Sequence, residues 1–124
     1  MKHIFILLLS IFMLTACRRH AAPEGILEEK QMVEVLTDLS VVDGYMATLL
    51  YSDTLRIQGK NYYATVYKNH NTSKAVFDKS MKYYSLQPVL LDSMYSKVSK
   101  RLEAKEKRLN KIYELEQRKK TLVK

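Results

Sequence analysis

The chain is poor in residues that punctuate or staple a fold: its 124 residues include three glycines, two prolines, one cysteine and no tryptophan. A sandwich or barrel needs turn formers at each of many tight connections, so such folds are excluded. A single cysteine forbids an internal disulfide. Gly25, Gly44 and Gly59 stand apart from one another, which leaves no glycine-rich phosphate loop. Beyond His3 the histidines are His20 and His70, too far apart for the close ligand spacing of a metal site, and no metal or cofactor is expected. Leu, Lys, Glu and Met are what the chain does have in quantity, and these favour helix. The expected fold class is all-α: a small bundle of three to four helices.

The net charge of +8 is unevenly spread. Residues 18–96 carry nine basic and nine acidic side chains, whereas residues 97–124 carry eleven basic and four acidic. A neutral domain with a basic tail points to one extended contact surface rather than to a molecule basic throughout.

Met1-Lys2-His3 gives a short positive start, and Ile4 to Leu14 is apolar apart from Ser10. That run is too short for the roughly 20 residues of a membrane-spanning helix, so it reads as a removable leader. It closes on Leu14-Thr15-Ala16-Cys17, which resembles the bacterial lipobox: a leucine, two small or polar residues and the cysteine that becomes lipidated. The resemblance implies diacylglycerol on the Cys17 sulfur, cleavage before Cys17, and acyl chains enough for stable anchoring, since one chain alone holds a membrane only marginally. Arg18 and Arg19 follow directly, against the usual charge bias of export but suited to an anionic lipid surface. The chain thus divides into a lipoprotein signal peptide (1–16), a lipidated tether (17–25), a helical domain (26–102) and a basic helical extension (103–124).

Within the domain, Met32, Leu36, Leu39, Met46 and Leu50 recur at helical spacing, predicting a first helix from Leu27 to about Tyr51. Ser52 to Lys60 lacks that periodicity and ends in Gly59-Lys60-Asn61, so it is expected to be a loop. A short tyrosine-rich helix over Asn61–Asn69 follows and is broken at Asn69-His70-Asn71. A third helix is expected over Ser73–Ser85, capped by Asn71 or Thr72. The last starts at Pro88, whose missing amide hydrogen suits a first turn, and runs to about Lys120. At 1.5 Å per residue the last helix spans roughly 50 Å, more than so small a domain can cover, so its end should protrude.

Asp43 falls in the apolar stripe of the first helix and needs a hydrogen-bond partner from a tyrosine or lysine on a packed neighbour; Tyr84 is the expected one. Asp38 lies at the edge of the stripe and reads as a rim charge. Asp53-Thr54-Leu55 and Asp92-Ser93-Met94 resemble a three-residue O-glycosylation acceptor, with Thr54 favoured because Ser93 is expected in a packed helix.

Ile26-Leu27, Met32 to Leu39 with Asp43, Phe77 to Tyr84, Pro88 and Tyr95 to Val98 together resemble a domain-of-unknown-function family, four-two-nine-six, of small Gram-negative envelope lipoproteins. The resemblance covers about Pro23 to Leu102 and implies an all-helical extracytoplasmic domain without assigned catalytic residues. Gly44 stands where that family usually has alanine.

A nucleophile needs a base beside it, and Ser80, His70 and Asp43 lack the strand-turn-helix setting that would assemble one. The chain is therefore expected not to be an enzyme but a lipid-anchored, periplasm-facing monomer. Its partners would be a membrane through Cys17 and an envelope protein or anionic surface through residues 97–124; nucleic acid is not expected. The rival reading is an enzyme or accessory subunit with a polar site around Asp43, Tyr83 and Tyr84.

Overall fold

The structure is a computed structural model that describes residues 22–48 and 53–122. The leader, Cys17, the tether up to residue 21 and the expected end of the first helix past Thr48 lie outside the described residues. Among the described residues there are four helices and no strand: α1 (Glu29–Thr48), α2 (Asp53–Asn69), α3 (Lys74–Ser85) and α4 (Pro88–Leu122). None is long and apolar enough to cross a membrane.

A turn leads into α1. Ile26 N–H donates to the Pro23 carbonyl at 3.0 Å, and Gly25 takes a φ of 75°, as the third residue of a type II turn requires. Leu27, now aimed inward, is buried beside Met32, Val33, Val35, Leu36 and Leu39. These form the hub of the core, which Val66 of α2, Tyr84 of α3 and Met94 and Val98 of α4 complete. Thr37 is also buried, and its hydroxyl is satisfied by the Val33 carbonyl one turn back, at 2.7 Å.

α1 and α2 run antiparallel: passing down α1, Tyr45 meets Tyr62, Asp43 meets Tyr63 and Asp38 meets His70. The expected loop over Ser52–Lys60 is instead the first half of α2, which is helical from Asp53. Gly59, which reads as a breaker, is buried inside that helix, where a Cβ would come within 2.7 Å of the Met46 methyl. The space a side chain would take there is filled by the flexible end of Met46, while the glycine still costs helix propensity. Ile57 is exposed, and Thr54 lies in the first helical turn rather than in a loop.

α2 stops at the expected place. Asn71 adopts the left-handed conformation with φ 50°, Thr72 N–H reaches the Tyr67 carbonyl and Asn71 N–H the Lys68 carbonyl, which closes the last turn. Ser73, rather than Asn71 or Thr72, caps α3 by accepting from Val76 N–H at 3.3 Å.

The 35 residues of α4 extend about 52 Å. Its first part packs through Leu91, Met94, Val98 and Leu102, and every residue from Glu103 to Leu122 is exposed. The end of α4 is therefore exposed over roughly 30 Å and, on the register set by Asp38 and Lys105, runs past the end of α1.

Candidate functional site

Three polar arrangements hold the helices in place, and each pairs residues differently from the sequence expectation. The deepest is at the start of α1. Ser80 is fully buried; its Oγ accepts from Leu27 N–H at 2.8 Å and donates to the Val76 carbonyl at 2.7 Å. One turn further along α3, the Tyr84 hydroxyl donates to the Leu27 carbonyl at 2.7 Å. Both backbone groups of Leu27 are thus satisfied by α3, as burial demands. Burial first, then the charge of Glu28, pushes the Tyr84 phenol up to about 12, so it stays a donor at neutral pH.

Tyr84 is accordingly not the partner of Asp43. Asp43 is exposed, not buried in the stripe, and it accepts from the Tyr63 hydroxyl on α2. The type of partner is as expected, a tyrosine on a packed neighbour, but the residue differs. That bond holds the Tyr63 phenol above its ordinary range. Tyr83 packs edge-on against Tyr84 with ring centroids 5.1 Å apart. Ser80, His70 and Asp43 each engage a different partner, so they form no relay.

The third arrangement joins α1, α2 and α4, and it centres on Asp38. One carboxylate oxygen meets His70 Nε2 at 2.8 Å and the other accepts from Lys105 Nζ at 2.8 Å. The His70 carbonyl accepts from Gln31 Nε2 at 2.9 Å. Partial burial alone would raise the Asp38 carboxyl, but the hydrogen bonds from Lys105 and His70, with their charges, hold it below the ordinary carboxylate range.

Asp38 is also the last rung of a ladder. Lys97 pairs with Glu29, Arg101 with Glu34 at 3.5 Å, and Lys105 with Asp38. Residue numbers rise together on both helices, so α1 and α4 run parallel with a fixed offset. All six side chains are a third or more exposed, where such pairs contribute at most about 1 kcal/mol each. The ladder therefore sets direction and register, while the apolar stripe beneath it supplies the energy.

This pairing changes the expected contact surface. Lys97, Arg101 and Lys105 are engaged with α1, so among the described residues the basic groups of α4 left without an ion pair are Lys100 and those from Lys107 onward. Nothing in the sequence alone singled out this division, although the matching four-residue spacings of Glu34-Asp38 and Arg101-Lys105 carry its signal. Ser93 is exposed on α4, contrary to the expectation that packing would hide it.

Helices joined around one core by buried side-chain-to-backbone bonds and a charged ladder define a small all-α domain with a projecting arm. The chain belongs to the family described as Domain of unknown function (DUF4296), whose model matches residues 23–108. That match takes in the Leu27 clamp and the whole ladder and ends just before Leu109. No curated protein and no solved structure matches the chain.

Proposed function

We propose that this protein is a bacterial envelope lipoprotein, anchored through Cys17 and facing the periplasm, that works by binding rather than by chemistry. The observation that carries the binding role is the exposed end of α4: past Lys105, residues 107–122 are exposed throughout and make no ion pair or side-chain hydrogen bond to another helix among the described residues, yet bear both cations and apolar side chains. An exposed helix of that kind has marginal stability by itself and gains from a partner. The anchoring role rests on Leu14-Thr15-Ala16-Cys17 behind an apolar leader. The tether would emerge beside Ala22, whose amide donates to Glu28 at the start of α1, and α4 projects past the opposite end of α1. The domain would then act as a spacer between bilayer and contact surface.

Growth with a clickable fatty acid tests the anchor: wild type should be labelled and Cys17→Ser should not, and unlabelled wild type overturns the lipoprotein reading. In-cell cross-linking with and without residues 103–124 tests the surface, because the partners captured by the full chain should disappear on truncation.

A further inference from the structure

Beyond Asp38 and Lys105 the facing edges of α1 and α4 carry on, largely exposed among the described residues. On α1 the edge that holds Glu34 and Asp38 continues at helical spacing to Val41 and Tyr45, both 47 % exposed. On α4 the row of Lys97, Arg101 and Lys105 continues to Arg108, Ile112 and Lys119, with Leu109 beside it 65 % exposed and Ile112 44 %. The offset of 67 residues set by Asp38 and Lys105 places Val41 level with Arg108 and Tyr45 level with Ile112. Tyr45 is further braced by Tyr62 of α2, edge to face at 5.6 Å.

We infer that this open stretch of α4, with the adjoining end of α1, is a docking site for an acidic amphipathic helix of a partner protein. The molecule itself displays the match. Where α4 is covered, its occupant is a helix that offers an apolar stripe to Leu91, Met94, Val98 and Leu102 and, along one border, carboxylates at Glu29, Glu34 and Asp38 to the basic row. Where α4 is bare, Leu109 and Ile112 carry the stripe on more thinly, with Glu116 set in it, and Arg108 and Lys119 carry on the basic border, with no occupant among the described residues. A second helix of the same chemistry, laid along the exposed face of α4 beside Val41 and Tyr45, would cover Leu109 and Ile112 and set its carboxylates against Arg108 and Lys119. Continuity of the stripe supplies affinity and the basic border selects the charge of the partner.

The direction of α4 decides between a protein and the anchoring bilayer. This step rests on the proposed anchor at Cys17. Because α1 and α4 are parallel and the chain enters beside Glu28, the docking stretch lies at the end of the molecule away from the tether, and α4 carries it outward rather than back toward the lipid.

The test uses the full chain in detergent micelles and two synthetic helical peptides with leucine at every third and fourth position, one flanked by glutamate and one by lysine. Binding is read by fluorescence anisotropy, and phosphatidylglycerol vesicles are assayed alongside. The acidic peptide should bind and the basic one should not. Arg108→Glu with Lys119→Glu should weaken the acidic peptide at least tenfold and admit the basic one. Leu109→Asp with Ile112→Asp should abolish binding while circular dichroism shows the helix content retained. Equal binding of both peptides, or indifference to these substitutions, overturns the inference. So does capture of vesicles in place of peptide, which would make the surface a membrane contact, or a dimer that Ile112→Asp dissociates, which would make the occupant a second copy. Peptide binding is read whether or not Cys17 carries lipid, so failure here and failure of the fatty-acid labelling remain separate results.

Discussion

The two halves of α4 carry one pattern in opposite surroundings. From Pro88 to Leu102 its apolar stripe is covered by α1 and α3, with Met94 fully buried; from Glu103 to Leu122 the stripe thins to Leu109 and Ile112 and stands in solvent. The ion pairs with α1 occur along the covered half and stop at Lys105, just past its edge. Apolar contact brings the helices together, and only then do charges a few ångströms apart find one another. A charged stripe alone therefore does not mark an intramolecular contact, and a bare one of the same design is free to recruit.

The sharpest break between the halves should come from side-chain truncation. Met94→Ala removes a fully buried side chain and should cost about 2–5 kcal/mol in urea unfolding, whereas Leu109→Ala should change stability by less than about 0.5 kcal/mol. Similar values for the two would mean that the free half is buried in solution.

The next largest effect lies at the Leu27 clamp, where Ser80→Ala leaves a buried amide hydrogen without an acceptor. A loss of about 1–3 kcal/mol is expected, larger than for serine-to-alanine changes at the exposed Ser93, Ser96 or Ser99 of α4. Hydrogen exchange at the Leu27 amide should accelerate in parallel.

Gly44 offers an effect of the opposite sign. It is exposed in the interior of α1, and a Cβ there would meet nothing within 4 Å. Gly44→Ala should therefore stabilise by about 0.5–1 kcal/mol, read as a higher thermal midpoint. Gly25→Ala should destabilise instead, because its φ of 75° suits glycine alone.

The smallest effect is the pH dependence of the last rung. The Asp38 carboxyl is held below its ordinary value of 3.8 in the fold, so its contribution is present above that value and is lost as pH falls through the lower, folded one. Between pH 7 and pH 3 the thermal midpoint of the wild type should fall further than that of Asp38→Asn. Equal falls would show that the rung contributes nothing.

Much of the helical plan is legible in the residues. Pro88 starts α4 and Asn69-His70-Asn71 ends α2, because each acts through its own backbone. The Ser52–Lys60 stretch is not legible in that way: Gly59 carries a local turn signal, yet it lies buried inside α2 under the Met46 side chain. Misplacing that connection also hides the register of the α1–α2 hairpin. With α2 helical from Asp53, antiparallel pairing places Asp43 by Tyr63 and Asp38 by His70; with a nine-residue loop over Ser52–Lys60 it does not. That is why the expected Asp43–Tyr84 pair gave way to Asp43–Tyr63, and why Asp38, a rim charge at the edge of the stripe, also joins α1 to α4 and to His70 at the end of α2.

The sequence by itself determined the helical class, the separation of a neutral domain from a basic extension, and the excess length of the last helix, since propensity, charge and rise per residue are local properties. The tertiary structure decided which partners meet: Leu27 with Ser80 and Tyr84, and Asp38 with His70 and Lys105. It also decided where the extension becomes free, because a helix presents several faces and only packing selects the one that is covered.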